Sequence, residues 1–336
     1  MSALLLPWLQ FAVCAALIGY AGSALTRYGE EIAELTGMSR SWVGLILIAT
    51  ATSMPELFTG FSAITLADAP DIALGDALGS CILNLVLLVL LDALSPEEPV
   101  YYRISQGHVL TAAFGVVLIG MVGILIIVAR EPFDASIGHV GIFTPVLILV
   151  YFVAMRATFL HERRAARLPV TDTFAPSGEG LRGVMLRYGI AAIVVAVAGA
   201  YLPFTGMEIA AQTGWEASFV GTLFVAAATS LPEIVVVLAA LRRNAMDLAI
   251  ASLLGSNLFD MLVIALDDVA YVKGNLLAAV SPVHAASAFA GVIMSGIFIV
   301  ALLYRPRNRF FGMVSWISLA LLAVYLFSSW FVYLYG

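Results

Sequence analysis

Two short stretches place oxygen-bearing side chains and a proline inside long apolar runs. They are residues 52–56 (TSMPE) and 229–233 (TSLPE), and the second follows the first after 177 positions. In each, the two hydroxyls precede the glutamate by four and three residues, so on a helix all three side chains share a face. The proline removes a backbone donor and crowds the carbonyl four residues earlier, which frees that oxygen to face a cavity. Such hard oxygen donors are typical of sodium, calcium or magnesium sites.

A second pair of motifs follows the first pair. Ser80 precedes Asn84 by four residues, and Ser256 precedes Asp260 by four, with an offset of 176 between the pairs. Proline kinks, hydroxyls bonded to their own helix, and glycine-serine packing each have purely structural explanations. A carboxylate at mid-membrane differs, because each costs roughly 2.5 to 3.5 kcal/mol to insert. Three carboxylates at these repeated positions therefore indicate function.

The composition places these motifs in a membrane. The chain of 336 residues is 62% hydrophobic and 11% charged, which is too little polar surface for a soluble protein of this length. Runs of about 20 apolar residues are long enough to cross a bilayer as helices. We predict an all-α integral membrane protein with ten such spans, near residues 4–26, 41–66, 71–92, 104–129, 138–156, 183–203, 217–241, 245–267, 283–304 and 310–334.

The basic residues predict the orientation. Fourteen of the sixteen arginines and lysines fall in odd-numbered connections, and only Arg130 and Lys273 fall in even-numbered ones. Basic connections stay in the cytoplasm, so both termini are expected on the extracytoplasmic side. No basic residue precedes the first apolar run, which argues against a cleaved signal peptide.

The repeated motifs divide the chain into two halves of five spans. Because five is odd, the second half must enter the membrane from the opposite side, which predicts an inverted-topology repeat. The expected segments are a first repeat at 1–156, a polar cytoplasmic linker at 157–182 and a second repeat at 183–336. A folded calcium-sensing domain needs at least about 50 residues, so the linker is too short to contain one.

The paired motifs resemble the two alpha repeats of the cation/calcium exchanger superfamily, and most closely those of the prokaryotic sodium/calcium exchangers. This resemblance covers essentially the whole chain and implies that spans one and six are the moving elements. It also implies a central ion-binding quartet: Glu56, Asn84, Glu233 and Asp260. The supporting hydroxyls would come from Thr52, Ser53, Ser80, Thr229, Ser230 and Ser256, and carbonyl oxygens from Ala49 and Ala226.

Several polar residues depart from these motifs. Cys81 stands where the family usually has asparagine, and we expect a small core residue there. Asp76 replaces a more usual asparagine, and a charge near the extracellular mouth and a solvated helix start are equally good explanations. Asp92 and Asp268 lie near span ends and are expected to be solvated. The histidines form no recognisable set: His108, His139, His161 and His284.

The expected function is calcium/sodium antiport by alternating access at a mid-membrane carboxylate site. Because Asn84 is neutral, the quartet carries at most three negative charges, which one divalent or several monovalent cations can offset. A proton/calcium antiporter of the same superfamily is the main alternative, since raised carboxylate pKa values permit proton exchange. A potassium-dependent exchanger is less favoured, because that branch is expected to have a carboxylate at the position where this chain has Asn84.

Two other classes fit less well. A cation channel usually builds its carboxylate ring from several identical subunits. An intramembrane hydrolase needs a base beside its serine, and no histidine neighbours either motif. We expect no cofactor, no nucleic acid and no deducible protein partner. The expected partners are calcium and sodium ions and the lipid bilayer. We expect a multi-pass protein of a prokaryotic plasma membrane.

Overall fold

The computed structural model describes residues 2–36, 48–95, 98–129, 136–165, 180–243, 245–310 and 314–336. Nearly all the regular structure in these ranges is helical. The elements of the first half are α1 (Ser2–Leu35), α2 (Ala49–Thr52), α3 (Met54–Thr65), α4 (Pro70–Leu94), α5 (Val100–Arg103), α6 (His108–Val128), a hairpin of β1 (Ser136–Ile137) and β2 (Val140–Gly141), and α7 (Thr144–Ala165).

The second half consists of α8 (Leu181–Thr213), α9 (Ala217–Phe219), a π-helix (Val220–Val225), α10 (Ala226–Thr229), α11 (Leu231–Arg242), α12 (Met246–Ala270), α13 (Leu276–Ala279), α14 (His284–Tyr304), a hairpin of β3 (Arg309–Phe310) and β4 (Val314–Ser315), and α15 (Trp316–Tyr335). From α10 onward, the second half repeats the order of elements that the first half shows from α2 onward. In both hairpins the two strands pair antiparallel.

The described residues contain eight unbroken helices long and apolar enough to span a membrane, and a bent pair around Ser230 that adds a ninth. The remaining predicted span, 41–66, starts in residues 37–47, outside the described part. Its described remainder is α2 and α3. The count of ten and the sidedness of the termini stay predictions. Helix α7 continues to Ala165, within the predicted linker 157–182, most of which lies outside the described residues.

The two halves are interlocked. Helix α4 of the first half packs against α14 and α15 of the second, and α12 of the second packs against α6 and α7 of the first. The two longest helices, α1 and α8, pack along each other. Of the long helices, α4 and α12 are the most buried, and both pack against the broken helices of the two halves.

Two glycines let the long helices approach the broken ones. A Cβ atom on Gly22 of α1 would overlap the ring of Pro232 in α11. On α8, a Cβ on Gly199 would lie 3.1 Å from the carbonyl oxygen of Pro55. The two glycines are 177 positions apart, like the prolines they face. Each long helix therefore lies directly against the proline-glutamate stretch of the other half.

This packing gives a test with a control on the other long helix. Gly22→Ala should destabilise the protein by about 1–3 kcal/mol, because the proline ring cannot move aside. Gly189→Ala in α8 has nothing within 4 Å of the new Cβ, and in a helix it should be neutral or stabilising by up to about 1 kcal/mol. Thermal unfolding of the purified protein in detergent compares them. Equal melting temperatures for the two variants would contradict this close approach.

Candidate functional site

Both proline-glutamate stretches break their helix at the serine. Ser53 has φ −88° and ψ 9°, and Ser230 has φ −80° and ψ 9°, and a new helix starts after each. Across Ser230 the helix axis turns by 44°. Proline fits the first turn of the new helix, where backbone N–H groups have no partner within the helix. Glu56 and Glu233 consequently lie in a first turn, where the helix dipole stabilises a carboxylate.

The glutamate of the first half is joined to the second half through hydroxyls. The Ser80 hydroxyl donates to Oε1 of Glu56 at 3.3 Å and lies 3.4 Å from the Thr229 hydroxyl. The Ser230 hydroxyl donates to Ser80 at 3.1 Å. All four side chains are buried. We call Glu56, Ser80, Thr229 and Ser230 the Glu56 cluster.

A matching cluster surrounds the other glutamate. The Ser256 hydroxyl donates to Oε1 of Glu233 at 3.3 Å and lies 3.0 Å from the Thr52 hydroxyl. The Thr52 hydroxyl also reaches the Ala49 carbonyl at 3.1 Å. We call Glu233, Ser256, Thr52 and Ser53 the Glu233 cluster. Ser53 belongs to it as the repeat counterpart of Ser230, although its buried hydroxyl has no hydrogen-bond partner among the described residues. Each cluster combines the carboxylate of one half with hydroxyls of the other, so neither half can form it alone.

Between the clusters, α4 and α12 meet through amide side chains. The Asn84 side chain donates to Oδ1 of Asn257 at 2.9 Å, and Asn257 donates to the backbone carbonyl of Cys81 at 3.1 Å. The Cys81 thiol lies 3.5 Å from Oδ2 of Asp260. Cys81 is thus a buried residue at the α4–α12 contact, beside a predicted ligand.

The predicted ligands keep unused oxygens. Buried side-chain oxygens without a hydrogen-bond partner among the described residues include Ser53 Oγ, Glu56 Oε2, Asn84 Oδ1, Glu233 Oε2 and Asp260 Oδ1. Leaving buried polar atoms unpaired costs about 1–3 kcal/mol each, more if charged. A hard cation would pair with them.

The composition of this donor set favours one class of cation. Within the described ranges, no three His, Cys, Asp or Glu side chains lie close enough together to hold a metal ion by themselves. Hydroxyl, amide and backbone oxygens must therefore complete any coordination, as calcium and other hard cations accept. The Ala49 carbonyl accepts the backbone N–H of Ser53 at 3.0 Å and the Thr52 hydroxyl at 3.1 Å. The Ala226 carbonyl accepts the backbone N–H of Ser230 and the Thr229 hydroxyl at the same distances. Turning the hydroxyl away would free the carbonyl.

The structure corrects the expectation for Asp92 and Asp268, which are 0% and 1% exposed. Asp92 accepts the backbone N–H groups of Val100 and Ser315 and the hydroxyl of Ser318. Asp268 accepts the N–H groups of Leu276 and Gly141 and the hydroxyl of Thr144. Each carboxylate therefore fastens the last long helix of the opposite half, and its buried charge is compensated by three donors.

The histidine expectation was also wrong for two of the four. His108 Nε2 lies 2.9 Å from Oδ1 of Asp247, and His284 Nε2 lies 3.1 Å from Oδ1 of Asp71. Both the histidines and the aspartates are 176 positions apart. This shared offset was readable in the sequence. The cross-half pairing of α12 with α6 and of α4 with α14 was not.

Asp267 is a buried carboxylate that the sequence motifs do not include. It is 1% exposed and follows Asp260 by two helical turns on α12. Its Oδ2 lies against Gly60 of α3, and its Oδ1 has no partner in the described part of the chain. The matching position of the first half is Leu91, so no repeat signal pointed to it.

Comparisons with known proteins agree with this architecture. Inner membrane protein YrbG of Escherichia coli (strain K12) is 25% identical over 250 residues, or 74% of each chain. Membrane protein MJ0091 of Methanocaldococcus jannaschii is 28% identical over 246 residues, covering 73% of this chain and 75% of that protein.

Solved structures share the fold. The sodium-calcium exchanger NCX_Mj matches with a TM-score of 0.63 at 24% identity, covering 97% of this chain and 98% of that one. Native YfkE matches with a TM-score of 0.64 at 20% identity, covering 96% and 92%.

The family comparison spans both halves. The family described as sodium/calcium exchanger protein matches residues 6–160 and 185–334, which include every residue of the two clusters. The chain therefore belongs to the sodium/calcium exchanger protein family and is a membrane transporter rather than an enzyme.

Proposed function

We propose that this protein exchanges calcium for sodium at a site formed by the Glu56 cluster, the Glu233 cluster, Asn84 and Asp260. The observation that carries the proposal is the set of unpaired oxygens on Glu56, Asn84, Glu233 and Asp260, all buried between α3, α4, α11 and α12. Family membership supports the cation class. The structural relative NCX_Mj is described as a sodium-calcium exchanger.

The charge count explains why two ions would exclude each other. Glu56, Glu233 and Asp260 offer up to three negative charges, and Asn84 adds a neutral oxygen. Among the described residues, no ion pair reaches these carboxylates. An empty ionised site is strongly penalised at low dielectric, so the protein rearranges only when calcium or several sodium ions are bound. Because calcium and sodium use the same ligands, the site binds one or the other at a time, and this competition produces exchange.

The mechanism we propose is alternating access with α1 and α8 as the moving elements. These helices pack along each other and lie against the broken helices at Pro232 and Pro55 through Gly22 and Gly199. Glycine removes side-chain interlocking at these two contacts, so at its contact with α3 a sliding α8 has to break the hydrogen bonds that Thr59 and Ser62 donate to the carbonyls of Gly199 and Ala200. The inverted repeat makes the two access routes equivalent, as in other secondary transporters. We place the protein in a prokaryotic plasma membrane, as the name of YrbG indicates for that relative.

Proton coupling is the second candidate, because buried carboxylates without cationic partners also hold protons. Proteoliposomes distinguish the two. We expect uptake of radioactive calcium when sodium is high inside and low outside, none with equal sodium, and no replacement of sodium by potassium. Uptake driven by a pH gradient in sodium-free buffer would establish the proton antiporter instead. Calcium entry along its own gradient without any counter-ion would indicate a channel.

A further inference from the structure

Asp76 lies beside the Glu56 cluster and is not part of the predicted ligand set. It is one helical turn before Ser80 on α4 and is 1% exposed. The Thr229 hydroxyl donates to its Oδ1 at 2.7 Å, the shortest of the contacts that this hydroxyl makes. Its Oδ2 has no hydrogen-bond partner among the described residues. A solvated helix start is therefore excluded.

A continuous set of oxygens links Asp76 to Glu56. Thr229 contacts Asp76 and also lies 3.4 Å from Ser80, and Ser80 contacts Glu56. Both carboxylates keep one buried oxygen unpaired. No arginine, lysine or histidine in the described part of the chain forms an ion pair with either one. The compensating charge is therefore expected from a bound cation.

The Glu233 cluster has no equivalent group. The position that matches Asp76 in the second half is Ser252, whose hydroxyl is buried and unpaired. Thr52, the counterpart of Thr229, directs its hydroxyl to the Ala49 carbonyl and to Ser256, and within the described ranges it makes no contact like that of Thr229 with Asp76. Beside the difference between Asn84 and Asp260, the site thus carries a carboxylate next to Thr229 that has no counterpart next to Thr52.

We propose that Asp76 is an additional cation ligand that makes the Glu56 cluster bind sodium more tightly than the Glu233 cluster does. This inference rests on the proposed function for the identity of the monovalent ion. Two carboxylates and two hydroxyls provide the hard oxygen donors that such an ion needs. One sodium ion then occupies this end at concentrations that leave the other end unloaded.

Direct binding to the purified protein tests this inference separately from transport. Radioactive calcium is bound in detergent and displaced with increasing sodium, for the wild type and for Asp76→Asn. We expect the sodium concentration for half-displacement to rise by about tenfold, the effect of roughly 1.4 kcal/mol. Calcium affinity without sodium should change less, because Asp76 acts on Asp260 through its charge alone, and no hydrogen bond joins it to Asn84 or Asp260 among the described residues.

Two further variants keep the test decisive. Asp267→Asn removes another buried carboxylate with an unpaired oxygen, outside both clusters, and should shift sodium displacement much less than Asp76→Asn, because no hydrogen bond joins it to either cluster among the described residues. Asp76→Glu keeps a carboxylate at this position, and sodium should compete with calcium in it nearly as in the wild type. It also serves as the second variant in case Asp76→Asn folds poorly. The inference is overturned if Asp76→Asn displaces like the wild type, if Asp267→Asn shifts equally, or if Asp76→Glu recovers nothing. Normal sodium displacement without sodium-driven uptake in liposomes would contradict only the proposed function.

Discussion

Glu56→Gln and Glu233→Gln will each abolish sodium-driven calcium uptake into proteoliposomes. Each glutamate lies in the first turn of a helix that starts after a serine break, with one carboxylate oxygen on a hydroxyl and the other unpaired. Glutamine keeps the size and the hydroxyl contact but removes the charge. Losing one partner of a buried charge pair costs about 2–5 kcal/mol, so calcium affinity should fall on the order of 10²-fold or more.

The matched control is the same substitution outside the site. Glu216 is exposed and immediately precedes the short helix α9 in the same half as Glu233. Glu216→Gln should transport calcium as the wild type does. Calcium binding and uptake are measured together, with melting temperatures to confirm folding. If either variant at Glu56 or Glu233 kept near-normal affinity and uptake, the assignment of that cluster as the ion site would fail.

The equivalence of the two glutamates is itself informative. The clusters around them are built from matching residues of opposite halves, so both variants should fail to the same degree if calcium binds between the clusters. A much weaker effect of Glu233→Gln would place calcium at the Glu56 cluster alone. The Asp76 inference predicts some asymmetry in sodium competition but none in the requirement for both carboxylates.

The sequence was sufficient for the local features of this site. A proline two residues after a serine, followed by glutamate, predicts a broken helix with a carboxylate at its new start, because proline determines the backbone locally. The helix face shared by Ser80 and Asn84 follows from helical periodicity alone. These features need no knowledge of which helices are neighbours.

The contacts that complete the site could not be read in this way. Thr52 meets Ser256 and Thr229 meets Ser80 across more than a hundred residues, because each half brings a threonine hydroxyl to the serine that donates to the carboxylate of the other half. Such pairs depend on how α4 and α12 cross between the broken helices. The burial of Asp92 was hidden for the same reason, since one of its amide donors belongs to Ser315. Hydropathy near a helix end cannot distinguish a solvated carboxylate from one bonded by a distant segment.

The interlocking aspartates give the second large effect. Asp92→Ala should lower the unfolding free energy by several kcal/mol, because it leaves the amides of Val100 and Ser315 and the hydroxyl of Ser318 buried without their acceptor. Each buried donor left unpaired costs about 1–3 kcal/mol. Asp268→Ala should behave alike, because its carboxylate also accepts from two backbone amides and one hydroxyl. Asp92→Ala removes the hydrogen bonds that hold α15 to the first half, and Asp268→Ala removes those that hold α7 to the second half.

Thermal unfolding in detergent measures both effects against a surface control. Asp68 forms an exposed ion pair with Lys273 at 2.6 Å, and exposed pairs contribute only about 0–1 kcal/mol, so Asp68→Ala should melt close to the wild type. Asp92→Asn separates charge from geometry, since its single amide oxygen can accept from only part of the donor set and should give an intermediate loss. Because Asp92 has no contact with either cluster, the folded fraction of each variant should still bind calcium with wild-type affinity. Loss of calcium affinity without loss of stability would instead make Asp92 part of the ion pathway.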